Sequence, residues 1–323
     1  MSGSPILERV ARYYEEFLWH ANLGVAGRQF LQDRGVPLDQ ARAWRLGLSP
    51  NAATFMTRIL EGRGIRREEL CAAGVAKAEG RAGYFELLRR RVVFPHTENG
   101  LVVGFTGRIL PGRESSAKYL STSQTPVFSR SRALFGLDRS RSGFAAGRPA
   151  VVVEGPLDAL ALHRAGVSGA VALGGVAFNS AVVEALIEAG ARSLIALFDG
   201  DQAGSMAGER VASSSLHHPS LPTSIALCPE GRDPDELTAA EIRALVDAPV
   251  PAADFLVSRL PVRVRTELPV ERVVAELGQF FKLFPPRFLF SHAQLEFVSS
   301  RMSLPVADLR TFIEEQDASS LRG

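Results

Sequence analysis

The sequence predicts an α/β protein, mixed α+β overall. A parallel-sheet domain over residues 148–250 is flanked by an N-terminal basic α+β subdomain over 1–147 and a C-terminal helical subdomain over 251–323. Three observations predict this. Short apolar runs alternate with helical patterns from 150 to 247 through short connections, as in right-handed βαβ repeats. Upstream, two apolar runs flank an Asn-Gly pair, the strongest short hairpin signal. Beyond residue 252 the apolar positions recur at helical spacing.

Residues 5–46 read as helices. Val10, Tyr13, Tyr14 and Phe17 recur at helical spacing, as do Phe30, Leu31, Leu38 and Trp44, with breaks near Gly24, Gly35-Val36-Pro37 and Gly47. Two more helices fit 54–74. The run from Leu88 to Pro95 starts a β segment, Thr97 to Gly100 supplies a turn, and Leu101 to Leu110 returns as the partner strand. This places Arg89 and Arg91 on the outgoing strand and Arg108 on the returning one.

The parallel-sheet region reads as strand 150–153, helix 156–165, strand 169–173, helix 179–190, strand 193–198, helix 203–216, strand 223–227 and a helix near 239–246. Val151-Val152-Val153 is wholly apolar and β-branched, which suits a strand covered on both faces. Glu154-Gly155 ends it, and Pro156 suits the first turn of the next helix. Asp158 lies four residues after Glu154, so both carboxylates can face one crevice. The pattern repeats where Leu194 to Phe198 ends in Asp199-Gly200-Asp201, with Gly204 beyond. Asp233 and Asp235 form a third acidic loop.

Open parallel sheets bind ligands outside the carboxyl ends of their strands. Carboxylates gathered there are unfavourable unless a positive charge sits between them, and oxygen-only clusters favour Mg²⁺ or Mn²⁺. Singly, each acid reads equally well as a solvated loop residue or a helix N-cap. Their recurrence at successive strand ends favours a metal site. The tail reads as four helices over AADFLVSRL, LPVERVVAELGQFFKLF, FLFSHAQLEFVSSRM and VADLRTFIEE.

Glu154-Gly-x-x-Asp158 followed by Asp199-x-Asp201-x-x-Gly204 resembles the Toprim fold, shared by bacterial DnaG-type primases, topoisomerases and some nucleases. Residues 227–237, LCPEGRDPDEL, resemble the primase form of the last Toprim acidic loop. Upstream segments decide among Toprim families. FLQDRGVPLDQARAWRLGLSP at 30–50, Arg89-x-Arg91-Val-x-Phe94-Pro95, Gly107-Arg108-x-Leu110, Ala117-Lys118-Tyr119 and Phe128-x-Arg130-x-x-x-Leu134-Phe135-Gly136-Leu137 resemble the DnaG-type pattern in order. Departures are Ala117 for a proline, Ser121 for an asparagine, Arg130 for a lysine, and Gln202 where a basic residue is common.

The resemblance implies synthesis of RNA primers from ribonucleoside triphosphates on single-stranded DNA. It implies two or more Mg²⁺ (or Mn²⁺) ions held by Glu154, Asp158, Asp199, Asp201, Asp233 and Asp235. Glu154, Asp199 and Asp201 would be catalytic, Glu154 as base or as metal ligand. Arg34, Arg89, Arg91, Arg108, Lys118, Tyr119 and Arg130 would form the surface for nucleic acid and nucleotide. A Toprim nuclease, or a DNA-binding accessory protein that does not polymerise, is the other reading. Cys71 and Cys228 are the only cysteines and are far apart, so no zinc is expected in this chain. A separate zinc-binding protein and the replicative helicase are the expected protein partners.

Charge is divided unevenly. Residues 1–147 hold 22 Lys and Arg against 13 Asp and Glu, and residues 148–323 hold 15 against 22. A basic half beside an acidic one suits a polyanion held next to a metal site, although an arginine-rich composition alone has the same effect. No apolar run reaches the roughly 20 residues that span a bilayer, and the N-terminus carries no signal-peptide pattern. A cytoplasmic location away from membranes is the expectation.

Overall fold

A computed structural model of the chain describes residues 5–52, 54–79, 83–112, 117–260, 270–285, 288–302 and 304–320. The chain opens with helices α1 (Pro5–Trp19), α2 (Val25–Asp33) and α3 (Leu38–Ala43), strand β1 (Gly47–Ser49), then helices α4 (Phe55–Gly62) and α5 (Arg67–Ala72). A small hairpin follows, β2 (Ala76–Glu79) and β3 (Gly83–Glu86), then β4 (Arg91–Glu98), β5 (Leu101–Ile109), β6 (Tyr119–Ser121) and α6 (Leu137–Ala145). The alternating region comprises β7 (Ala150–Val153), α7 (Pro156–Arg164), β8 (Ala170–Ala172), α8 (Ser180–Glu188), β9 (Leu194–Phe198), α9 (Gln202–Ser215), β10 (Thr223–Leu227), a single 3-10 turn at Pro234–Glu236, α10 (Ala239–Asp247) and β11 (Val250–Pro251). Helices α11 (Ala252–Ser258), α12 (Val270–Phe281), α13 (His292–Met302) and α14 (Val306–Ser320) close the chain. The start of the second expected tail helix, Leu268 and Pro269, lies outside the described residues.

Two main sheets result. The first is antiparallel, in the order β1-β4-β5-β6, and its central hairpin turns at Asn99-Gly100. Both turn residues have positive φ, 51° and 77°, as a two-residue hairpin turn requires. The second sheet runs β11-β10-β9-β7-β8, with β7 to β10 mutually parallel and only β11 antiparallel. Because β7 is flanked by both β8 and β9, the winding direction reverses there.

The parallel strands are buried on both faces, which explains their unbroken apolar runs. Val152, Val171, Leu194, Ala196, Phe198 and Ile225 share a core with α8, α9 and the tail helices. Val151, Val153, Ala172, Ile195 and Leu197 turn the other way, toward α7, α10 and the N-terminal helices α2 and α3. Residues one apart thus serve opposite cores, the period of two that a strand imposes. A third core joins α1 and α4 to the first sheet through Tyr14, Met56, Val93 and Phe105.

Several features depart from the sequence expectation, three of them around the first sheet. Gly47–Ser49 is not merely a break but strand β1, whose Leu48 pairs with Val92. The β2–β3 hairpin was not anticipated. The outgoing strand of the main hairpin starts at Arg91 rather than Leu88, because Arg90 adopts φ 54° and cannot continue an extended pairing. Arg89 therefore stands in the turn before the strand, its guanidinium 5.9 Å from the Phe85 ring. No helix among the described residues is long and apolar enough to cross a membrane.

Glu86, at the end of β3, is fully buried, and its Oε1 accepts the Thr57 N–H (3.1 Å) in the first turn of α4. Burial pushes this carboxyl from 4.5 up to about 7, so the native state keeps a proton that the unfolded chain releases in that window. Its effect on stability is therefore lost as pH rises through the window. Glu86→Gln retains the acceptor without the charge. It should stabilise the protein by about 1–2 kcal/mol near pH 8 and change little near pH 4. Urea denaturation at the two pH values checks both the size and the sign.

Candidate active site

The reversal at β7 places the ends of β7, β9 and β10 side by side. A crevice at such a switch point is where doubly wound sheets hold ligands. Glu154 follows β7, Asp199 follows β9, Asp233 and Asp235 follow β10, and Asp158 lies in the first turn of α7. The loops interlock tightly. The Gly200 N–H donates to the Arg232 carbonyl (3.0 Å) and the Gly231 N–H donates to the Gly200 carbonyl (2.9 Å). A Cβ at Gly200 would lie 1.8 Å from the Pro229 carbonyl oxygen. Only glycine permits that approach, so Gly200→Ala should cost about 2 kcal/mol or more by forcing the two acidic loops apart. A lowered melting temperature together with weaker divalent-cation binding is the expected result.

Four basic side chains face the acids across a cleft of about 360 Å³, namely Arg34, Arg108, Lys118 and Arg210, with Tyr119 beside them. Arg34 Nη2 lies 2.8 Å from Asp235 Oδ2 and 3.8 Å from Asp233 Oδ2. The Asp235 side chain is only 2% exposed, and among the described residues neither of its oxygens has a well-aligned hydrogen-bond donor, so the pair is held by charge. Arg108 stacks 5.0 Å from the Tyr119 ring, and its buried Nε and Nη1 have no hydrogen-bond partner among the described residues.

The acids carry the electrostatic signature of crowding. Burial, then the charges of Glu154 and Asp233, push Asp199 up to about 7, while Lys118 pulls the other way. Burial raises Glu154, with Lys118 opposing. Burial followed by the charges of Asp235 and Asp199 holds Asp158 well above the usual carboxylate range. Asp235 is raised by burial against the pull of Arg34. Each shift would be relieved by a cation among the carboxylates.

The side chains do not yet converge. Among the described residues no group of three or more carboxylates, imidazoles or thiols is arranged to hold an ion as it stands. Asp158 Oδ2 accepts the Gly155 N–H (2.9 Å), Asp201 Oδ1 accepts the Gly204 N–H (2.7 Å) as the N-cap of α9, and Asp235 pairs with Arg34. The donor set nonetheless fits a hard divalent cation, being entirely carboxylate oxygen with raised affinity for positive charge.

The basic residues divide. Arg34, Arg108, Lys118 and Tyr119 line the cleft, whereas Arg89 and Arg130 do not. Arg130 is exposed, its backbone N–H bonded to Gln124 Oε1 (2.9 Å). Arg91, expected on the surface for nucleic acid, is instead 4% exposed with its guanidinium on three backbone carbonyls. Burial of β4 between β1 and β5 removes it from solvent. Arg210 and Phe178 were not anticipated. Arg210 had a signal, since a helix beginning after Asp201 puts Ala207, Arg210 and Val211 on one face.

A family model of the DNA primase catalytic core, N-terminal domain, matches residues 13–141, and a Toprim-like model matches residues 151–238. The DNA primase of Streptomyces coelicolor is 34% identical over 274 residues, covering 82% of this chain and 42% of that protein. The chain belongs to the DnaG-type primase catalytic-core family. The DNA primase of Myxococcus xanthus is likewise 34% identical, over 78% of this core and 42% of its own length. The core thus spans about two fifths of the curated relatives it matches. Among solved structures, a DNA primase domain from Pseudomonas aeruginosa is 26% identical with a TM-score of 0.80, covering 96% of this core and 99% of that chain. The RNA polymerase domain of Mycobacterium tuberculosis primase DnaG, solved with a double-stranded DNA oligomer carrying a 6-nucleotide overhang, is 28% identical with a TM-score of 0.71 over 93% of this core and 98% of that chain. Toprim domains and primase cores are generally metal-dependent.

Proposed function

We propose that this core synthesises RNA primers on single-stranded DNA by metal-assisted nucleotidyl transfer. The observation that carries the reading is the cleft itself, in which strand-end carboxylates face Arg108, Lys118 and Arg210. Such a site suits a triphosphate lying beside acids that would hold the cations. Glu154, Asp199, Asp201 and Asp233 would hold two or more Mg²⁺ or Mn²⁺ ions, with Asp158 and Asp235 completing the set. When bound, the ions neutralise charge at the α-phosphate and stabilise the pyrophosphate leaving group.

The chain's own residues do the rest. Arg108, Lys118 and Arg210 bind the triphosphate oxygens of a ribonucleotide. Arg108 presents a buried guanidinium that gains its missing partners in doing so. Glu154, raised by burial, is suited to accept the 3′-hydroxyl proton or to serve as a ligand. Arg34 holds the last acidic loop in place. Arg89 and Arg130, outside the cleft, suit template phosphates, contacts that grip a strand without reading its sequence. The DNA complex of the Mycobacterium tuberculosis relative supports DNA binding by this core.

We read residues 1–147 as the part that binds template and nucleotide, 148–250 as the metal-binding part and 251–323 as a helical support. A zinc-binding protein and the replicative helicase are the proposed partners, in the cytoplasm.

The test is incubation with single-stranded DNA, the four ribonucleotides, one of them labelled, and Mg²⁺ or Mn²⁺. Short labelled oligoribonucleotides are expected. Degradation of a labelled DNA control without synthesis would overturn the reading in favour of a nuclease.

A further inference from the structure

Arg91 opens strand β4, paired with Ile109 of β5, and is 4% exposed. Its Nη1 donates to the carbonyls of Gly107 (3.0 Å) and Lys118 (3.2 Å), and its Nη2 donates to the carbonyl of Ala117 (2.9 Å). Among the described residues no carboxylate forms an ion pair with it. A buried cation without a counter-ion is unfavourable unless carbonyl dipoles satisfy it fully. The guanidinium fork therefore sits here in return for organising what it touches.

What it touches is the strand that supplies the cleft with Lys118 and Tyr119. Strand β6 has only three residues and three paired positions on β5, with Arg108 opposite Tyr119. One further bond, from the Ile109 N–H to the Lys118 carbonyl (3.1 Å), continues the ladder. So short an edge strand is weakly held by its own ladder. Its placement is nevertheless tight, since a Cβ at Gly155 would lie 2.6 Å from the Tyr119 hydroxyl. Lys118 acts electrostatically on both Glu154 and Asp199. A shift of the 117–119 backbone by an ångström would move both groups relative to the acids.

We infer that Arg91 is a positioning residue for nucleotidyl transfer, clamping the backbone of Ala117 and Lys118 so that Lys118 and Tyr119 meet the nucleotide in register with Glu154 and Asp199. This deepens the polymerase reading and rests on it. It excludes a direct contact between Arg91 and template phosphate. Lysine at this position keeps the charge but, as a single point donor, cannot span three carbonyls.

Arg91→Lys separates the two roles. A clamp predicts that kcat/KM for the ribonucleotide falls by about 10²-fold, the scale of an ångström misplacement. Lys118→Ala added to Arg91→Lys should then do little further harm, a non-additivity that marks two residues acting as one unit. The salt dependence of single-stranded DNA affinity should stay unchanged, whereas loss of a phosphate contact would lower its log–log slope by about 0.7. Hydrogen exchange of the intact protein should rise at residues 118–121 while the parallel sheet stays protected. Arg91→Gln, whose one nitrogen carries two N–H donors and no charge, guards against a folding defect caused by a buried unpaired lysine and should likewise raise exchange at 118–121.

A lowered salt slope, additive effects with Lys118→Ala, or unchanged exchange at 118–121 would each overturn the inference. If the wild-type protein makes no primers, the polymerase reading falls, and the exchange and salt-slope measurements still decide whether Arg91 clamps or contacts DNA.

Discussion

Asp199→Ala should abolish primer synthesis, by about 10³-fold or more, with the fold and the affinity for single-stranded DNA preserved. The reasoning starts from position. Asp199 follows β9, the strand next to β7 at the switch point, so it faces Glu154 across the gap between two neighbouring parallel strands. It lines the cleft, and burial together with Glu154 and Asp233 pushes it up to about 7. A carboxylate so strained by its neighbours has its natural partner in a divalent cation, and losing that ligand removes several kcal/mol of charge stabilisation from the transition state. The variant also removes a repulsive charge. The metal-free protein should therefore melt at a higher temperature than wild type near pH 8, even as activity disappears. Activity loss with a raised melting point distinguishes a functional carboxylate from a structural one. Retention of more than about a tenth of the activity would remove Asp199 from the proposed metal site.

The acidic framework was legible because its signals are local. Each carboxylate follows an apolar run directly, and β7 and β9 begin and end within one residue of the expected strands. The order of the strands was not legible, since it depends on which distant segments pair. The switch point between β7 and β9, which makes a site from separate loops, therefore emerged only in three dimensions. Strand β1 was missed because three residues show no periodicity and its pairing with β4 is long-range. Arg91 misled for a related reason. Its surface role followed from the resemblance, but six successive residues of β4 from Arg91 are buried, because β4 lies between β1 and β5 with α1 on one side. The role of Asp235 was obscured likewise, since its Arg34 partner lies some two hundred positions earlier in the chain.

Divalent cations should stabilise this core strongly near pH 8 and hardly at all near pH 5. Asp199, Glu154, Asp158 and Asp235 are all raised in the folded protein. Between the ordinary carboxylate range near pH 4 and about 7, the value for Asp199, the native state thus binds more protons than the unfolded chain. Stability of the metal-free protein must fall as pH rises through that window. A bound cation reverses the balance, because it prefers the same carboxylates ionised. Near pH 5 it competes with protons and gains little. Near pH 8 the carboxylates are already charged and mutually repelling, and a cation at a hundred times its Kd adds about 2.7 kcal/mol. For a chain of this size that is a rise of several degrees in Tm. Melting curves with Mg²⁺ or with chelator at the two pH values test this directly. Equal shifts at both would mean that the ion binds elsewhere, and no shift near pH 8 would mean that these acids do not hold one. Asp199→Asn supplies the internal control. It should flatten the pH dependence of the metal-free protein and shrink the Mg²⁺ shift together, because both effects arise from the same ionised oxygen.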